Sequence, residues 1–162
     1  MTFKFMVMKC VYKILLMLMM LMGVSAQAQI SSFKAFRETK GAVTSDSKEM
    51  YVWGPWIQSS TTFILNLTKH AIFVEDKNTN SKVKYEIFDK PQKWIVKKNY
   101  KYINFECMES KSLEKYYVRL CEYDSGEFKI TVMSPKNAVR YQVIYLKEND
   151  SVNINFDDIE ES

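Results

Sequence analysis

The stretch Arg140-Tyr141-Gln142-Val143-Ile144-Tyr145-Leu146 decides the reading of this chain. With Val139 in front, it sets Val139, Tyr141, Val143 and Tyr145 on one side and Arg140 and Gln142 on the other, because side chains alternate across a strand with period two. Working backwards from it, the same alternation recurs from residue 61 onwards. Phe63, Leu65 and Leu67 share a face over 61–68, and Ile72 and Val74 continue it after a turn at Lys69-His70. Val83, Tyr85 and Ile87 form the next stripe, bounded by Asn78-Thr79-Asn80 and Asp89-Lys90-Pro91. Ile103, Phe105 and Cys107 follow a short Trp94-Ile95-Val96 segment, and Tyr116, Val118 and Leu120 come after them. Asp124-Ser125-Gly126 suits a three-residue hairpin with glycine in the left-handed conformation, across which Phe128, Ile130 and Val132 answer. Ser134-Pro135-Lys136-Asn137 makes the last tight connection. Long helical periodicity is absent after residue 28.

Short strands at regular spacing with turn residues between them predict an all-β fold. The order is that of a single antiparallel meander of about 8–9 strands, forming a small barrel or a strongly curled sheet or sandwich. The meander domain is placed at 49–147. Residues 29–48 read as a polar N-terminal segment holding a possible edge strand at 32–37, with Phe33 and Phe36, and 148–162 as an acidic tail. Val152, Ile154 and Phe156 in that tail alternate well enough for one more edge strand.

Residues 1–28 read as a signal-peptide helix that is removed. Lys4, Lys9 and Lys13 precede an apolar run over 14–22, and Ala26-Gln27-Ala28 has the small residues that a signal peptidase requires. The apolar run is about half the ~20 residues needed to cross a bilayer, which argues against an anchor. Met1, Met6 and Met8 could each open such a leader. The expected location is therefore periplasmic or secreted. Cleavage removes three lysines and no acid, leaving 20 bases against 19 acids, so the pI near 8.8 overstates the basicity of the mature chain. A net charge of +1 gives no general affinity for nucleic acid or acidic membranes. The charge is uneven, however: 148–162 holds six acids and no Lys or Arg.

The pattern Asn104-Phe105-Glu106-Cys107, a hairpin ending in Val118-Arg119-Leu120, then Phe128-Lys129-Ile130-Thr131-Val132 and a final Tyr141-Gln142-Val143 resembles a group of small exported all-β proteins of Gram-negative bacteria whose function is unassigned. The resemblance covers about residues 61–146. It implies the meander and transfers no catalytic residue, cofactor or partner.

Cys107 and Cys121 are the only cysteines after the leader, and an exported chain usually pairs an even number. Strand geometry opposes a bridge. If Ile103, Phe105 and Cys107 share the core face with Tyr116, Val118 and Leu120, Cys107 lies opposite Tyr116. Cys121 is then on the other face and on the order of 16 Å along the strand, beyond the ~7 Å Cα limit. No disulfide is expected.

His70 is the single histidine and reads as a solvated turn residue, since triads and metal sites need several convergent groups. No phosphate-binding glycine loop or nucleophile elbow occurs, so neither catalysis, a metal nor another cofactor is implied. The aromatic residues carry the functional reading. Trp53 and Trp56, around Gly54-Pro55, are expected to cap an open barrel end or to take part in binding. Trp94, Lys97, Lys98, Tyr100, Lys101 and Tyr102 form an aromatic and basic stretch, continuous with Lys90 and Lys93. Tyr102 and Tyr123 fall on outer faces, where aromatic rings make platforms for sugars, peptides or proteins. The expected function is a non-catalytic exported β-domain that binds a glycan, a small apolar ligand or an envelope protein. The alternatives are a small hydrolase whose site the residues do not advertise, or a structural envelope protein. Export argues against a nucleic-acid partner. Intact mass of protein recovered from the envelope or medium should correspond to a chain starting at Gln29; retention of residues 14–22 would indicate a membrane anchor instead.

Overall fold

Alternation along the strands becomes an inside and an outside of a closed sheet. The structure, a computed structural model, describes residues 30–43, 51–88 and 93–146. The expected leader and cleavage site, Lys90 and the acidic tail with its expected strand lie outside the described residues. Among the described residues eleven strands form one sheet: β1 (Ile30–Val43), β2 (Tyr51–Trp53), β3 (Ile57–Gln58), β4 (Thr61–Asn66), β5 (Ala71–Asp76), β6 (Ser81–Ile87), β7 (Ile95–Val96), β8 (Tyr100–Glu109), β9 (Lys115–Tyr123), β10 (Phe128–Met133) and β11 (Asn137–Leu146). Eight of them close an antiparallel barrel in the order β1-β4-β5-β6-β8-β9-β10-β11, with β11 returning to β1. The short β2 and β3 attach to β1, and β7 attaches to β8.

The turns form where the residues suggested. His70 and Asn80 hold left-handed φ of 50° and 52°, and Gly126 sits at 84° in the β9–β10 hairpin. There the Tyr123 amide donates to the Glu127 carbonyl at 2.9 Å and the Gly126 amide to the Tyr123 carbonyl at 2.8 Å.

The N-terminal segment departs from expectation. Residues 30–43 are neither an edge strand nor a segment outside the domain. They are the strand that closes the barrel, paired with β4 through Ile30–Lys34 and with β11 from Ser32 to Ala42. The domain therefore begins well before residue 49. A bulge between Ala35 and Arg37 explains why the alternation is hard to see. Phe33 and Ala35 point into the barrel, Phe36 is the extra residue and is exposed, and beyond it Arg37 and Thr39 sit opposite Gln142 and Arg140 on the outer face. At the bulge β1 leaves β4 and pairs instead with β3 and then β2.

Side chains fill the barrel, as eight strands require. Phe63 and Cys107 are fully buried, and Phe105, Ile130 and Val143 are nearly so. Phe63 meets Tyr141 edge-on at 4.9 Å between centroids, and Tyr85 meets Tyr116 at 5.1 Å. Burial first, and the neighbouring Tyr116 second, raise the Tyr85 hydroxyl above its ordinary 10.0. Burial and then Glu38 raise Tyr141 in the same way. Burial, followed by Glu106, pushes the Cys107 thiol up to about 12. The folded state thus keeps protons that the unfolded chain would release. This contribution is fully present below the unfolded values of 9.0 and 10.0 and is lost as pH rises through the folded ones. Circular dichroism should show the melting temperature falling steadily above about pH 10. Tyr141→Phe should make that fall shallower; an unchanged slope would mean that Tyr141 does not hold its proton in the folded state.

Candidate ligand-binding groove

The outer faces of β8 to β11 line up in cross-strand rows. One runs Tyr102, Cys121, Lys129, Gln142; the next runs Asn104, Arg119, Thr131, Arg140 and continues to Thr39 on β1. A third runs Glu106, Tyr117, Met133, Ala138, Gly41 and ends on Trp53 of β2. Trp53 lies flat on β1 because Gly41 has no side chain: a Cβ there would stand 3.0 Å from the indole ring. Thr39 Oγ1 donates to the Gly54 carbonyl at 2.7 Å, and the Gly54 amide donates to the Lys40 carbonyl at 2.8 Å, which fixes the chain after β2 against β1. The Tyr51 hydroxyl donates to the Ser134 carbonyl at 3.2 Å, tying β2 to the β10–β11 turn. Between this overhang and the outer face of β8–β10 lies a groove of about 1040 Å³.

Among the described residues its lining holds five aromatic rings, Tyr51, Trp53, Tyr100, Tyr117 and Tyr123, and four bases, Lys115, Arg119, Lys129 and Arg140, with no Asp or Glu. Each base rests on a ring. The Arg140 guanidinium is 4.0 Å from the Trp53 centroid and that of Arg119 is 4.6 Å from Tyr102. The Lys129 ammonium is 4.7 Å from Tyr123 and that of Lys115 is 5.4 Å from Tyr117. Such stacks contribute about 0.5–2 kcal/mol each and hold a cation without neutralising it. Arg119 Nε also donates to the neutral Asn104 Oδ1 at 2.8 Å. The lysines differ: Lys129 lies 3.6 Å from Glu127 and Lys115 pairs with Glu106, so part of their charge is met at the rim. Among the described residues no carboxylate pairs with Arg119 or Arg140, so the positive charge of this surface is concentrated there.

Cys121 lies in the groove wall, 9% exposed, and outside the barrel core that contains Cys107. The register puts Cys107 opposite Tyr116 and Cys121 opposite Tyr102, and both are free thiols. Burial pushes the Cys121 thiol up, while Arg119, Arg140 and Lys129 act against that rise, so the fields of three cations converge on its sulfur.

The residues singled out in the sequence fall in three places. Trp53 and Tyr100 line the groove, and Tyr102 lies beneath Arg119. Trp56 is 39% exposed beside Arg37, 5.1 Å from its guanidinium, near the β1 bulge. Neither Trp53 nor Trp56 belongs to the barrel core: Trp53 lies on Gly41 of β1 and Trp56 stands beside Arg37 of the same strand. Trp94 is 40% exposed under Lys101 at 5.0 Å, and Lys101 pairs with Glu122 at 2.8 Å. Alternation on β8 sets Lys101 on the opposite face from Tyr102, so Trp94 does not join the groove, and Lys97 and Lys98 are exposed at the β7–β8 turn. His70 is exposed in its turn. Among the described residues no three His, Cys, Asp or Glu side chains gather in a way that could hold a metal. Reading the sequence missed Arg119, Lys129 and Arg140. Each sits at an outward position of its own strand and looks like ordinary solvated surface until the register brings the three together.

No family model matches the chain, and no curated protein and no solved structure matches it. The groove is accordingly read from its own chemistry. In native protein, iodoacetamide should alkylate Cys121 before Cys107, and faster as pH rises past the ordinary thiol value of 9.0. Peptide mass mapping over time checks the order, and equal rates would show that Cys121 is not reached from the groove.

Proposed function

We propose that the protein is an exported, non-catalytic β-barrel module that binds an anionic ligand in the groove between β2 and the outer face of β8–β10. The observation that carries this reading is the lining itself, which among the described residues holds four bases and no carboxylate, with Arg119 and Arg140 held on aromatic faces. A planar guanidinium held in place offers its N–H fork at little further entropic cost, and such forks bind carboxylate, sulfate or phosphate in pairs. A cation-lined wall suits holding an anion. Acid–base work on a bond would call for a positioned carboxylate or histidine. Cysteine 121 and Thr131, both buried, complete the floor below the two arginines.

Retention on a sulfated cellulose resin tests the site against net charge. Arg119→Glu and Arg140→Glu should each elute at clearly lower salt than the parent protein. Lys97→Glu makes the same change in net charge on the β7–β8 turn and should elute close to the parent. If Lys97→Glu loses as much retention as Arg119→Glu, the attraction is diffuse and the groove is not its seat.

A further inference from the structure

Resting on the groove reading, we infer that the occupant is an acidic polysaccharide, a chain of uronate-bearing sugars whose carboxylates meet Arg119 and Arg140. The first reason is the spread of charge. Arg119 on β9 and Arg140 on β11 flank Thr131 in one cross-strand row, so their backbones stand two strand spacings apart, roughly 10 Å. Lys129 is two residues along β10 from Thr131, roughly 7 Å, and Lys115 is four residues along β9 from Arg119, roughly 13 Å. A single small anion occupies one part of this span and leaves the rest of the bases unmet. A polymer with carboxylates on successive or alternate rings engages several.

The second reason is what the rings have left to offer. Trp53, Tyr102, Tyr117 and Tyr123 each carry a cation over a face. Single-stranded nucleic acid takes much of its affinity from bases stacked on open aromatic faces, and neutral sugars also dock on such faces. Both lose that contact at these four rings, and the remaining two, Tyr51 and Tyr100, pack against Trp53 and against Tyr102 and Tyr123, whereas a carboxylate gains from the cation that covers a ring. The third reason is the set of groups between the charges. Tyr100, Tyr117, Tyr123 and Thr131 contribute hydroxyls and Asn104 an amide, which donate to and accept from sugar hydroxyls in either sense.

Calorimetric titration of the full mature chain with polygalacturonate, with the same polymer after its carboxyls are reduced to alcohols, and with a single-stranded oligonucleotide of matched charge tests the inference. Polygalacturonate should bind at physiological salt and the reduced polymer should not. Arg119→Ala and Arg140→Ala should each weaken binding about tenfold or more, as loss of a central charged anchor does. Arg119→Lys, which keeps the charge and removes the fork, should fall between parent and Arg119→Ala. Bound polygalacturonate should also slow alkylation of Cys121 in the parent protein and leave Cys107 unchanged, a readout that needs no variant to fold. Equal binding of the reduced polymer, or tighter binding of the oligonucleotide, overturns the polysaccharide while the groove keeps its anion-binding role. Binding of none of the three, together with no difference between Arg119→Glu and Lys97→Glu on the resin, removes both readings.

Discussion

A sheet that ends in two free strands exposes two rows of unpaired amides and carbonyls, which invite pairing with other chains. The antiparallel pairing of β1 with β11 removes that liability by joining the first described strand to the last. The rest of the molecule depends on this closure. It seals Phe33, Ala35 and Val143 into the same interior as Phe63 and Phe105. It also sets the outer face of β11, with Arg140, beside the outer face of β1, on which Trp53 lies.

The bulge at Phe36 lets one strand serve both purposes. Before it, β1 gives its apolar residues to the core and its second edge to β4. After it, the strand turns Thr39 and Gly41 outward and hands its second edge to β3 and β2. One inserted residue thus converts a barrel stave into the support of an overhang. An unbulged β1 would keep its alternation in phase and put Thr39 and Gly41 on the inward face.

The electrostatics of the groove follow from which partner each base has. On a surface strand an arginine commonly finds a carboxylate and the pair is close to neutral. Here Arg119 and Arg140 rest on Tyr102 and Trp53, and Arg119 is further held by an amide oxygen, so they are positioned without a carboxylate of the described residues neutralising them. Cys121 registers the result, because Arg119, Arg140 and Lys129 all act on its thiol. Among the tyrosines of the groove, burial raises the Tyr123 hydroxyl and so favours its neutral, donating form.

Period two is a local property, written in the residues themselves, and it determined the all-β class, the inward faces of β4 to β11, and the opposite orientations of Cys107 and Cys121. Turn residues with a strong conformational preference, such as Gly126, marked where strands end. The polar strand β1 was hidden because the bulge shifts its phase and its only buried apolar residues are Phe33 and Ala35. The candidate residues around Trp94 were adjacent in sequence, yet alternation and the β7–β8 turn send them to different faces. Arg119, Lys129, Arg140 and Trp53 sit on four different strands, and nothing in any one strand points to the others. Only register and closure decided that they meet, because the position of one strand against the next is set by the whole barrel and not by the strand's own residues.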